Sequence, residues 1–135
     1  MAKVVTFKAK DVLGQDFSVM DSTENVKRVS NGLKRIFSAM DKVDKDHPKN
    51  DQTVMDYSDA IVDAVIEDVA DLLHLSKEDG KKLMGMSYSD VSGFYEKVAN
   101  EFLGMQVPSV KKLQEALAGQ TAPAEETGPK QKSAE

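Results

Sequence analysis

The chain has 135 residues, 40% of them hydrophobic and 30% charged, which suits one compact soluble domain. A net charge of −5 argues against nucleic-acid binding, because such affinity comes from phosphate neutralisation by a basic face. Cysteine is absent, so disulfides and thiolate metal sites are excluded, and neither a secretory h-region nor an apolar run of the roughly 20 residues that span a bilayer is visible.

Residues 1–20 read as an extended or strand-like arm. Val4-Val5-Thr6-Phe7-Lys8-Ala9 is β-branched and partly alternating, and Phe17-Ser18-Val19 follows the turn-like Gly14-Gln15-Asp16. The segment fits either two extended arms or a β-hairpin. A two-stranded hairpin is marginal alone in water, so it needs a helix to cover it.

Ser22 or Thr23 offers an N-cap, and Val26, Val29, Leu33, Ile36, Phe37 and Met40 follow at spacings of three and four. This predicts a helix over 23–42, with Gly32 inside it as a point of close approach by another element. Residues 44–52 read as a polar loop with a solvent-exposed His47 beside Pro48. The next stripe, Val54, Tyr57, Ile61, Val65, Val69, Leu72 and Leu73, predicts a helix over 53–74. Its other face carries Asp56, Asp59, Asp63, Glu67 and Asp71, with no Lys or Arg between Thr53 and Leu73. Like charges four apart oppose helix formation, so this acidic ridge is either a solvated face or a docking surface for a basic segment.

Ser76-Lys77-Glu78-Asp79 starts a short helix with an acidic first turn, ending near Met84 with Gly85 beyond it. Ser87-Tyr88-Ser89-Asp90 starts the next in the same way; Val91, Phe94, Tyr95, Val98 and Phe102 form its buried stripe, and Gly104 ends it. Pro108 sits at an N1-like position, and Val110, Leu113 and Leu117 support a final helix to Gly119. Residues 120–135 lack a large apolar side chain, so the expectation there is a disordered tail. The expected fold is mainly α: one helical domain over 1–119, with helices in 22–119, four to five helices in all, and a short extended or hairpin start.

Chemistry-bearing motifs fail on inspection. Gly80-Lys81-Lys82 lacks the flanking residues of a P-loop. Asp44-Lys45-Asp46 begins like a calcium loop, but Lys49 stands where Gly is needed and Met55 where Glu is needed. Neither His47 nor His74 has the helical neighbour that would complete a zinc pair, and His74 at a helix end suits the C-terminal dipole. No nucleophile–base arrangement is recognisable, so the reading is a non-enzyme without cofactor or metal. Met84, Met86 and Met105 gather at helix ends near Leu83 and Leu103, as ordinary core filling or as a soft, adaptable contact surface.

Three stretches carry a family resemblance: Asp71-Leu72-Leu73-His74-Leu75-Ser76-Lys77-Glu78-Asp79, then Met86-Ser87-Tyr88-Ser89-Asp90-Val91, then Phe94-Tyr95-Glu96-Lys97-Val98 with Phe102-Leu103-Gly104-Met105. Over about residues 22–105 the chain resembles the small tail assembly chaperones of long-tailed bacteriophages infecting Gram-positive hosts. The resemblance implies a holdase in the host cytoplasm. It would bind the aggregation-prone tape measure protein and yield it when the tail tube protein polymerises. It also implies self-association, and a frameshifted longer form for which the tail from Gln120 would be the junction. The charge balance and the lack of a long apolar run give the expectation of no nucleic-acid and no membrane partner. The contact groove expected under this reading comprises Leu83, Met84, Met86, Phe102, Leu103 and Met105. The alternatives are a regulatory protein-binding module and a virion structural adaptor.

Overall fold

A computed structural model of the chain describes residues 2–108. The expected final helix at 108–119 and the tail at 120–135 therefore lie outside the described residues, except for Pro108. The described fold is mainly helical, with five helices and an N-terminal antiparallel hairpin. Among the described residues no helix is long and apolar enough to cross a membrane.

The hairpin pairs β1 (Val4–Phe7) with β2 (Phe17–Met20), setting Val5 opposite Val19 and Phe7 opposite Phe17. Side chains alternate across a strand, so these pairs face inward, while Val4, Thr6, Ser18 and Met20 face out. The connection holds more than a turn: a short helix, α1 (Lys10–Leu13), precedes Gly14, whose positive φ of 83° closes it. Asp16 ties the connection down by accepting from the Ala9 and Lys10 amides.

Ser22 caps α2 (Thr23–Asp46) by accepting from the Asn25 amide. This helix continues four residues beyond the expected end at 42, so Asp44-Lys45-Asp46 is helical and not part of the loop. No Gly or Pro interrupts the chain before Pro48, and a residue preceding proline resists helical geometry, which places the break at His47. Phe37, expected in the buried stripe, is about half exposed. It lies at the margin of the apolar face that Val29, Leu33 and Ile36 centre.

Thr53 and Asp56 form a reciprocal capping box at the start of α3 (Val54–Leu72). Cross-contacts pair residue 28 with 71, 35 with 68 and 44 with 57, so α2 and α3 run antiparallel. His74 turns the chain after α3 with a φ of 56°. Ser76 caps α4 (Lys77–Lys82) through the Asp79 amide, and a 3-10 turn over Leu83–Gly85 follows. α5 (Tyr88–Leu103) begins at Ser87, whose side chain makes no capping bond, unlike that of Ser76. Gly104 ends it at positive φ.

The core lies where β1, α2, α3 and α5 meet. Val5, Phe7, Ile36, Ile61, Val65, Val69, Leu83, Val91, Tyr95 and Val98 are all essentially sealed from solvent. Lys3 donates to the Glu101 carbonyl and Phe7 stacks against Phe94 at 4.9 Å between centroids, so the hairpin lies antiparallel along α5. That helix supplies the cover a lone hairpin lacks.

Candidate functional site

The six residues expected to form one contact groove separate in the fold. Leu83 is 0% exposed and belongs to the core. Its neighbour Met84 is 64% exposed, because the tight 3-10 turn sends successive side chains in different directions. Met86 is half-buried and borders a hollow between the α1 region and the turn before α5, together with Lys8, Asp11, Val12 and Ser87. Phe102 and Leu103 are half-buried against the core, and Met105 is 45% exposed. Met84 and Met86 thus precede α5 while Phe102, Leu103 and Met105 sit at its far end. The 16 residues of α5 hold the two groups about 24 Å apart. They form two sites, not one groove.

Met105 lines a trough along the outward face of α5 with Gly93, Glu96, Lys97, Asn100 and Gln106. At the same end of the molecule the hairpin exposes Val4 and Met20 as a facing cross-strand pair. Strand alternation could have pointed to these two, since each sits one residue from an inward-facing partner.

The acidic ridge is partly spent within the molecule. Asp71 accepts from Arg28 at 3.3 Å, and Arg28 also bonds Glu24 at 2.9 Å. Asp56 serves the capping box, and its contacts with Thr53 hold its carboxyl below the usual range. Asp59, Asp63 and Glu67 remain exposed. Beside them, Ala39, Val43, Ala60 and Ala64 floor a shallow groove between α2 and α3, with Lys42 and Asp63 on opposite rims.

A polar cluster lies where α2, α3 and α5 meet. Asp68 is 3% exposed, and its Oδ1 accepts from the half-exposed Arg35 at 2.5 Å. Its Oδ2 has no hydrogen-bond partner among the described residues. Burial pushes its pKa up to about 7, against the opposing pull of Arg35. The Tyr95 hydroxyl lies beside it, donating to the Val29 carbonyl at 3.4 Å, and burial pushes the phenol upward as well. Gly32 makes this fit possible: a Cβ there would stand 2.1 Å from Tyr95 Oη and 2.9 Å from Asp68 Cγ. The close approach expected at Gly32 is therefore present. The spacing of Ile61, Val65, Asp68 and Leu72 also marks Asp68 as the one carboxylate on the apolar face of α3.

His47 is not freely exposed as expected. Its Nδ1 is 2.7 Å from the Val43 carbonyl and its Nε2 3.5 Å from Asp56. The Val43 bond, followed by the nearby carboxylates, raises its pKa despite opposing desolvation. Asp44 accepts from Gln52 at 2.9 Å and from the Tyr57 hydroxyl, so the calcium-loop-like segment is occupied by protein donors. Among the described residues no cluster of three or more His, Asp or Glu could hold a metal ion.

No protein-family model matches the chain, nor does any curated protein or solved structure.

Proposed function

We propose that this protein is a tail assembly chaperone that holds a long helical tail component, the tape measure protein, until the tube subunit replaces it. The observation that carries the reading is the placement of the methionines. Met84 and Met105 face solvent at either end of α5, on a body whose core is otherwise closed. Methionine is unbranched and polarizable, so it accepts apolar side chains of varied shape. An amphipathic client helix presents such side chains at spacings of three, four and seven. The two lie beyond opposite ends of α5, whose 16 residues span about 24 Å, so a client helix that engages both is at least that long. The exposed Asp59, Asp63 and Glu67 keep the loaded complex charged and dispersed.

Co-expression with the tape measure protein tests this directly. The client should move from the insoluble to the soluble fraction with the intact protein and fall back with Met84→Ser/Met105→Ser. A client equally insoluble with and without the protein sinks the proposal. Finding the protein in purified virions would favour the structural-adaptor reading instead.

A further inference from the structure

The groove between α2 and α3 has walls of opposite charge. Ala39, Ala60 and Ala64 line its floor, with Arg35 and Lys42 on the α2 side and Asp63 and Glu67 on the α3 side. The α2 side also holds Asp46, toward the end of that helix. The division extends along both helices. From Lys27 to Lys45, α2 carries six basic residues and two acidic ones, whereas α3 carries six acidic residues and no basic one. Lys42, Asp59, Asp63 and Glu67 are exposed, and their side chains have no ion-pair or hydrogen-bond partner among the described residues. The ridge on α3 therefore suits a basic helix, and α2 of the same chain is one.

The heights of these residues match as well as their charges. The antiparallel pair sets Arg35 level with Asp68 and Asp44 level with Tyr57. Counting from those pairs at about 1.5 Å per residue, Lys42 lies level with Asp59, Arg35 close to the level of Glu67, and Ala39 midway between Ala60 and Ala64. We propose that two copies of this chain pair face to face over the groove, each laying α2 along α3 of the other. A two-fold axis parallel to the helices keeps every height unchanged, so both contacts form at once and the same surface serves both copies. Lys42 of one copy meets Asp59 and Asp63 of the other. Arg35, whose side chain is 36% exposed beyond its bond to Asp68, meets Glu67. Ala39 drops between Ala60 and Ala64, where small side chains let the helices approach. Exposed ion pairs are individually weak and the apolar floor is small, so the dimer is weak and salt-sensitive. The pairing rests on these matched walls, and it leaves the net charge of −5 on each chain intact.

Sedimentation velocity on the full-length chain tests this through a charge exchange. Across a concentration series at low salt the wild type should pass from monomer to dimer. Lys42→Glu, and separately Asp59→Lys/Asp63→Lys, should each weaken the dimer by roughly tenfold or more, because like charges then face each other at both contacts. An equimolar mixture of the two variants should dimerise as well as wild type, since one contact of the mixed pair is native and the other is native with its signs exchanged. Exchanging acids for lysines also relieves the like-charge spacing along α3, so the variant keeps its helices. Should Asp59→Lys/Asp63→Lys nonetheless lose its helical circular dichroism, Asp63→Lys alone takes its place with the same outcomes. A wild type that stays monomeric throughout, variants that dimerise as well as wild type, or a mixture no more dimeric than its components overturns the inference. Met84 and Met105 do not line this groove and no client is present, so the result leaves the co-expression experiment untouched.

Discussion

The junction of α2, α3 and α5 buries a carboxylate and a phenol, whereas the turns flanking α5 leave methionines in water. Each region departs from the usual sorting of side chains, in opposite directions. At the junction, Asp68 sits beside Arg35 and Tyr95, and Gly32 gives up its side chain so that the three helices can close around them. A buried polar group that loses its partner costs the full desolvation penalty, so this region is held in one arrangement. At the turns, Met84 and Met105 are 64% and 45% exposed and lie outside the core cluster, so they could be altered without disturbing it. The first region specifies how the helices meet; the second is free to meet something else.

The sharpest way to break this contrast is to fill the junction. Gly32→Ala should cost about 3 kcal/mol in urea unfolding, since overpacking a tight core typically costs about 1–3 kcal/mol and here a side chain must move aside. Adding Tyr95→Phe removes the atom in closest conflict and should restore part of that loss. No recovery in the double variant would mean that the Asp68 carboxyl, 2.9 Å from the added Cβ, sets the limit and not the hydroxyl.

Neighbouring residues test the same contrast at one turn. Leu83→Ala should cost about 3 kcal/mol, within the range for deleting a buried leucine. Met84→Ser should stay within about 0.5 kcal/mol of wild type, as exposed sites usually do. Similar losses for the two would show that Met84 packs in solution.

Titration sharpens the account of the junction. In the folded protein Asp68 ionises near pH 7, well above the ordinary aspartate value of 3.8, because burial disfavours its charge. Its stabilising contribution is complete below the unfolded value and is lost as pH rises through about 7. His47, also raised, acts in the same direction but only above its ordinary 6.5. Glu24 and Asp56 are lowered, so their contributions are lost only at acid pH, below the usual carboxylate range. The interval between about pH 5 and the ordinary histidine value of 6.5 therefore belongs to Asp68. Wild-type stability should fall as pH rises across that interval, and Asp68→Asn should be flat there. A slope shared by both proteins would assign the effect elsewhere.

The smallest expected effect on folding is the most telling for function. Met84→Ser/Met105→Ser should leave the melting temperature within a few degrees of wild type while abolishing client rescue. Loss of both would make the methionines structural.

The helices were legible because their signals are local. Ser22, Thr53 and Ser76 cap within three residues, and the spacings of Val29, Leu33 and Ile36 or of Val91, Phe94 and Val98 declare a face. Where the local signal was weak, expectation and structure parted. Nothing between Met40 and Pro48 ends a helix decisively, so α2 runs on to Asp46, and Gly14-Gln15-Asp16 conceals the short α1 before it. The candidate contact groove was legible only as a list of apolar residues at helix ends. The list could not tell that Leu83 turns inward while Met84 turns outward.

Sequence by itself determined the helical class, most element boundaries, the apolar faces and the absence of disulfide chemistry, since propensity, capping and periodicity act over a few residues. Tertiary structure alone decided that Asp68, Arg35, Tyr95 and Gly32 meet, that the hairpin lies along α5, and that the contact residues divide between two ends of that helix. Those outcomes join residues 33, 63 or 98 positions apart. Only the packing of whole elements, with the matching of volume and charge across their faces, brings such residues together.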